Sequence, residues 1–275
     1  MVPTWRVRPP GSRLNHKHPV SRRLAGFWAM NEGAYGLAYD LSPFGNHGTY
    51  SSFTAPFDPS HHGGEAPHFN LSSSFIDMGT PGPASLDITG PISVCAWVNR
   101  SAGAAFDEMI VSKGFNGTNT QYQLFYDRTT NKVTFNTYNG TPHGASSTTS
   151  SSLNIWEFWV GTFDGALWKI YRNGVLEATT ADSQAPAQTA RGVNIGANDN
   201  STGRSNWWGG GIDGVRIYAR ALDAEEAAWL FVDPYAGLFP NHDDALAILS
   251  GGGGGGGTSQ IFRSPVFNSR AIGAH

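Results

Sequence analysis

Residues 156–174 read Trp156-Glu157-Phe158-Trp159-Val160-Gly161-Thr162-Phe163-Asp164-Gly165-Ala166-Leu167-Trp168-Lys169-Ile170-Tyr171-Arg172-Asn173-Gly174. Side chains alternate along a strand, so Trp156, Phe158 and Val160 fall on one face. Two turn dipeptides punctuate the run: Asp164-Gly165 closes Trp156–Phe163, and Asn173-Gly174 closes Leu167–Arg172. Both tolerate the positive φ of a type I′ turn, whose twist matches antiparallel strands. The stretch predicts consecutive hairpins.

The same signature recurs on either side. Leu24 to Met30 is short and apolar, ended by Asn31-Glu32-Gly33. Ser93 to Asn99 places Val94, Ala96 and Val98 on one face and Ser93, Cys95, Trp97 and Asn99 on the other. Apolar residues on both faces mark a central strand. Met109 to Ser112 is brief, and Gln121 to Tyr126 pairs with Lys132 to Tyr138 as a hairpin. The polar Ser146 to Ser152 reads as a loop. Val193 to Gly196 and Gly211 to Tyr218 close the series, with Ile212, Val215 and Ile217 apolar. One helix is signalled: Asp223 caps it, Glu226 follows three residues on, and Ala227-Ala228-Trp229-Leu230 supply the apolar turn. Asp233-Pro234 stops it. Many short strands with one short C-terminal helix predict an all-β, antiparallel two-sheet sandwich over residues 24–232.

Composition agrees. The chain has 275 residues, and only 39% are hydrophobic, but 9 Trp, 9 Tyr and 16 Phe allow a core of few, large side chains. The 35 glycines and 16 prolines suit strands joined by tight turns. A formal charge of −3 with 14% charged residues gives no sign of nucleic-acid binding. No apolar run approaches the ~20 residues of a membrane helix, so membrane insertion is not expected. Met1 to Val20 lacks the apolar core of a secretory leader, so none is expected. Cys95, the single cysteine, excludes an internal disulfide and reads as a small buried hydrophobe.

The ends differ from the middle. Residues 1–23 form a basic, proline-interrupted N-terminal arm with no acidic residue before Glu32. It reads either as a solvated extended arm or as one lying on a neighbouring subunit, where Trp5 has something to bury beside Arg6 and Arg8. Residues 233–275 form a C-terminal arm with seven glycines at 251–257. The glycines read as a flexible linker or as a segment packed on another chain. Beyond them, Ile261, Phe262 and Phe267 could dock as a short strand on a neighbour's sheet edge. These terminal residues predict assembly into a homo-oligomer.

The order of segments resembles the concanavalin A-like sandwiches, and within them the laminin-G-like jelly-roll domains. The residues that carry the resemblance run from Leu24-Ala25-Gly26-Phe27-Trp28 and Gly45-Asn46-His47-Gly48, through Ser93-Val94-Cys95-Ala96-Trp97-Val98 and Ile110-Val111-Ser112-Lys113-Gly114. They continue through Ile170-Tyr171-Arg172-Asn173-Gly174 to Gly211-Ile212-Asp213-Gly214-Val215-Arg216-Ile217-Tyr218. Each piece is weakly specific, but their order is not. The arms, with Leu14-Asn15-His16-Lys17-His18-Pro19 and Asp233-Pro234-Tyr235 before the glycine run, resemble those of laminin-G-like proteins of tailed phages and environmental viral genomes, a less specific match.

The resemblance implies a structural calcium ion held by Asp40, Asn46 and Asp213, with Glu32 nearby in sequence. The alternative is that Asp40 only makes an Asx-turn and Asp213 only caps a bulge. Glucanases of this fold need two carboxylates facing one cleft. Their Glu-x-Asp-x-x-Glu strand does not occur here, and Glu157 stands alone, so catalysis is not expected. No Gly-x-Ser-x-Gly elbow occurs either. Adjacent His61 and His62 point to opposite faces and suit a loop better than a metal site. For carbohydrate, the 198–208 loop offers Asn198, Asp199, Asn206 and Trp207, with Trp208 in the core and Trp207 outward. Trp207 could equally cover an edge or a subunit contact.

The expectation is a non-catalytic virion surface or tail-associated structural protein, assembled in the host cytoplasm. Its lectin-like sandwich would serve assembly and glycan adhesion. Its partners would be copies of itself, other virion proteins and cell-surface glycans. The alternatives are an extracellular or cell-surface bacterial carbohydrate-binding module and a divergent glycoside hydrolase.

Overall fold

The computed structural model describes residues 13–54, 57–61, 64–101, 103, 105–200 and 202–239. Two large antiparallel sheets face each other. The eight-stranded sheet runs Pro142–Ser150, Lys132–Tyr138, Thr120–Asp127, Glu108–Phe115, Val193–Ile195, Phe75–Asp77, Gly48–Ser51, Leu37–Ala38. The seven-stranded sheet runs Val175–Ala181, Leu167–Arg172, Trp156–Phe163, Ile92–Arg100, Gly209–Tyr218, Leu24–Trp28, and His68–Asn70 also pairs with Gly209–Tyr218. This is the two-sheet jelly-roll sandwich that the segment order implies.

The alternation in Ile92–Arg100 divides the protein into two cores. Val94, Ala96 and Val98 point between the sheets, with Trp28, Trp159, Trp168, Phe135 and Tyr122. Cys95 and Trp97 point the other way into a second core on the outer face of the seven-stranded sheet, with Phe158, Val160 and Tyr171. A lid built from both ends of the described chain covers that face. It comprises Val20 from the Pro19–Ser21 turn, Ala227 and Leu230 from the Ala224–Val232 helix, and Tyr235 and Ala236. Arg13–Leu14 pairs with Leu238–Phe239 to fasten the lid. Residues 13–23 of the expected arm are thus ordered against the sandwich. The helix begins with the predicted box: Asp223 accepts from the Glu226 amide, and the Glu226 side chain accepts from the Asp223 amide. Among the described residues no helix is long and apolar enough to cross a membrane.

Local expectations needed two corrections. Asn173 (φ 51°) and Gly174 (φ 78°) make the expected type I′ turn. At Asp164-Gly165 only Gly165 has positive φ, and the Asp164 carboxylate accepts from the amides of Ala166 and Leu167, giving a longer Asx-type loop instead. The expected loop at Ser146–Ser152 is mostly strand, Pro142–Ser150, at the edge of the eight-stranded sheet. An edge strand exposed to water can be polar, and only Ala145 enters the main core. Its partner edge, Val175–Ala181, supplies Glu177, which accepts from Thr148 and Thr149 and ties the two sheets together at one side.

Candidate functional site

The outer face of the seven-stranded sheet is not sealed along its whole length. Where Ile92–Arg100 ends, cross-strand register places Trp156 opposite Asn99, Asn99 opposite Gly211, and Gly211 opposite His68. These lie one alternation beyond Trp97, on the same face, with Trp156 packed against the edge of the second core. A small hairpin, Asp58–Pro59 with Glu65–Ala66, borders the row. The result is an open cleft of about 440 Å³ lined by Asp58, Ser60, Asn99, Ser101, Asn154 and Trp156 among others.

Each wall has a local cause. Gly211 leaves room for the half-buried Trp156 ring: a Cβ there would stand 2.7 Å from Trp156 Cη2. Trp156 Nε1–H donates to the Pro59 carbonyl at 3.1 Å, which fixes the indole against the hairpin. Asn154 follows Leu153, whose backbone bridges Arg100, and the Asn154 amide donates to the Arg100 carbonyl at 2.7 Å. His68 Nδ1 lies 2.7 Å from Asp58 Oδ2. Asn99 Oδ1 is buried and has no hydrogen-bond partner among the described residues. A fixed indole beside amide side chains can stack on the apolar face of a sugar ring and hydrogen-bond its hydroxyls.

Beside the cleft, Ser60 donates its hydroxyl to Asp213. Asp213 is 2% exposed, and burial pushes its carboxyl up to about 7, with the charge of Glu32 pushing the same way. Glu32 accepts from the Tyr39 amide and the Tyr50 hydroxyl, both at 3.0 Å. His61 stacks on Trp97 with ring centroids 4.1 Å apart.

The four residues expected to hold calcium therefore separate into two sets. Asp40 is a corrected assignment. Its Oδ1 accepts from the amides of Phe27 and Ser42, and its Oδ2 accepts from the Ser42 hydroxyl and the Asn46 amide. That carboxylate pins the 40–46 loop, the Asx-type alternative, and has no lone pair left for a metal. Asn46 is likewise engaged: its Oδ1 accepts from Ser85 and its Nδ2 donates to the Ala25 carbonyl. Asp213 and Glu32 stay within reach of each other's charge, the Glu32 charge raising the Asp213 carboxyl and that of Arg216 lowering it. Asp213 also borders a bulge in its strand pairing. Among the described residues no group of three His, Cys, Asp or Glu side chains gathers around one point.

The 198–208 loop is a hairpin, Asn198–Asn200 with Gly203–Ser205. Asp199 is buried, ion-paired with Arg204 at 2.6 Å and accepting from the Gly192 amide at 2.7 Å. Asn198 Oδ1 accepts from Ser112. Asn206 takes φ 54°, and its carbonyl accepts from the Met109 amide. These three brace the loop. Trp208 is fully buried, as expected, and Trp207 is half-buried with its ring edge-on to Phe106. Trp5, Arg6, Arg8, Ile261, Phe262 and Phe267, with the glycine run, lie outside the described residues.

The lone Glu157 is 1% exposed and fully engaged by Arg172, Ser151, the Ser152 amide and Trp159 Nε1. The Trp156 cleft was not foreseen. Its one sequence signal is the alternation that puts Trp156 on the face of Phe158 and Val160, and Asn99 on the face of Cys95 and Trp97. Their meeting with His68 and the 58–66 hairpin depends on pairing between distant segments.

The sequence profile of the concanavalin A-like lectin/glucanases superfamily matches residues 74–228. No curated protein matches the chain by sequence. Among solved structures, domain 4 of AbnA, a GH43 extracellular arabinanase from Geobacillus stearothermophilus solved with arabinotriose, superposes with a TM-score of 0.61. It is 16% identical and aligns over 76% of this chain and 98% of that one. The binding domain of Paraclostridial Mosquitocidal Protein 1 gives 0.60 at 14% identity, over 77% of this chain and 52% of that one. The binding domain of Botulinum Neurotoxin DC in complex with SialylT gives 0.58 at 13% identity, with the same 77% and 52%. The chain spans about half the length of those two binding domains. At these identities the likeness is one of fold.

Proposed function

This chain belongs to the concanavalin A-like lectin/glucanases superfamily, and on that premise we propose that it is a non-catalytic carbohydrate-binding domain that takes a sugar ring in the Trp156 cleft. The observation that carries this reading is the row Trp156, Asn99, Gly211, His68, of which Trp156 and Asn99 line an open cleft on the outer sheet face. An aromatic platform and planar amides are the groups a sugar needs, and fold alone would not name the function. The arabinotriose in the domain 4 structure and the SialylT in the toxin structure support the class of ligand. The carboxylates beside the cleft are engaged, Asp58 with His68 and Asp213 with Ser60, which supports binding over hydrolysis.

A glycan array followed by calorimetry tests the reading. Wild type is expected to bind at least one glycan, and Trp156→Ala to weaken it about tenfold or more, the loss of one stacked aromatic contact. A silent array, or undiminished binding by the variant, would overturn it. Glycan consumption over hours of incubation would instead favour the hydrolase alternative.

The calcium expectation continues here with two ligands in place of four. Asp213 and Glu32 would hold the ion, and its charge would pin the 58–61 loop to the sheet without entering any reaction. The setting, a virion surface or tail, draws its support from the terminal sequences alone: Arg6, Arg8 and Trp5 at one end, Ile261, Phe262 and Phe267 at the other. Capsid and tail genes beside the coding gene, with a homo-oligomer in solution, would support it. Polysaccharide-utilisation genes and a monomer would favour the bacterial module.

A further inference from the structure

A second cleft lies directly beside the first, across one ridge of backbone. The ridge is the bridge between Arg100 and Leu153, and Asn99 and Asn154 face the first cleft while Arg100 and Leu153 face the second. The second cleft has a volume of about 630 Å³, and Arg100, Tyr126, Arg128, Thr129 and Asn131 contribute to its wall.

Arg100 is held there with unusual firmness. It is only 5% exposed. Its Nε donates to Glu108 at 2.7 Å, and its guanidinium carbon lies 3.4 Å from the centre of the Tyr126 ring. Tyr126 is itself fixed, donating its hydroxyl to Asn131 at 2.5 Å. Glu108 is fully buried, and its second oxygen accepts from the Gly209 amide. These contacts use one edge and one face of the guanidinium. Its two terminal nitrogens make no hydrogen bond to any described residue. A pinned guanidinium whose terminal N–H groups are left over from these contacts is a preorganised fork for a carboxylate or a sulfate. Arg128 adds an exposed cation at the rim, with no ion-pair partner among the described residues. Two carboxylates lie close by, each with one oxygen held by local backbone amides and Asp107 also within reach of the Arg128 charge. Asp107 accepts from the Arg128 amide, and Asp127 accepts from the amides of Thr129 and Thr130.

We infer that this second cleft binds the acidic group of an oligosaccharide, so that the protein reads an acidic glycan across both clefts. Trp156 takes one sugar ring, and Arg100 with Arg128 takes the carboxylate or sulfate of the next. The inference rests on the carbohydrate-binding reading of the first cleft.

The test uses the full chain and oligosaccharides in matched acidic and neutral forms: oligogalacturonates and their methyl esters, sialyllactose and lactose, sulfated and unsulfated disaccharides. At least one acidic form is expected to bind about tenfold more tightly than its neutral partner, the size of one charge-assisted hydrogen bond. Arg128→Ala, a surface change, should reduce that preference and leave affinity for the neutral form intact. Arg100→Lys, checked for folding by its melting curve, should abolish it. Equal binding within every pair overturns the inference, and the Trp156 reading then stands. Loss of all binding, neutral forms included, overturns both. Inorganic sulfate is the last arm: if it displaces the acidic glycan at the same concentration as the glycan's own affinity, the cleft is a site for a free anion and the inference fails.

Discussion

Asp213 on the central Gly209–Tyr218 strand accepts the hydroxyl hydrogen of Ser60, 153 residues earlier in the chain. The bond closes the 57–61 segment over the outer sheet face beside the Trp156 cleft. Burial raises the Asp213 carboxyl to about 7, against about 3.9 for an aspartate in the unfolded chain.

The sign of the resulting pH dependence follows. The folded protein holds this proton more tightly than the unfolded chain does. The group's contribution to stability is therefore complete below about pH 4 and is lost as pH rises through about 7. Asp213→Asn carries no such proton, so relative to wild type it should gain stability as pH rises from about 5 to about 8, by up to a few kcal/mol. Urea melts at the two pH values measure this. A difference between the proteins that does not change with pH would contradict the raised value.

Calcium would reverse that trend, since a cation beside Asp213 and Glu32 favours both charged forms. Excess calcium at neutral pH should raise the melting temperature, because a ligand bound only to the folded state stabilises it. Glu32→Gln should remove most of the increase. A melting temperature unmoved by calcium and by chelator would eliminate the site.

Gly211→Ala tests the geometry of the sugar cleft without touching a polar group. The new Cβ meets Trp156 Cη2 at 2.7 Å, so the indole must tilt off its seat. Overpacking of this kind costs about 1–3 kcal/mol. Glycan affinity should fall with it while the far-ultraviolet spectrum stays that of wild type. Unchanged affinity would mean that the ring's seating over Gly211 is irrelevant to binding.

Glu108→Gln breaks the Arg100–Glu108 pair, in which the Glu108 side chain is wholly buried. Removing one partner leaves a buried charge uncompensated, and a loss of about 3–5 kcal/mol is expected from chemical denaturation. A loss near zero would show that water reaches Arg100 freely.

The fold was legible because its signals are local. Alternation in 93–99 told that the strand is buried on both faces, and Val94 and Cys95 do enter different cores. The Asn173-Gly174 turn and the Asp223–Glu226 box likewise depend on residues a few positions apart. The polar edge strand Pro142–Ser150 escaped notice because an edge needs no apolar alternation; its strand character comes from pairing with Lys132–Tyr138.

The sites were less legible. Asp40 reads in the sequence as a calcium ligand and Asp199 as a carbohydrate contact, since a sequence shows an acidic side chain but not the donors that surround it. In the folded chain Asp40 receives Phe27, Ser42 and Asn46, and Asp199 receives Arg204 and Gly192. Sequence by itself determined the long central strands, the Asn173-Gly174 turn, the helix cap and the two-faced strand 93–99, each set by backbone preferences and side-chain periodicity over a few residues. Only the tertiary structure decided which polar groups remain open. Trp156, Asn99 and His68 become neighbours through strand pairing across 88 positions of chain, from His68 to Trp156. Arg100 is likewise pinned by Glu108 and Tyr126 only once separate strands have paired.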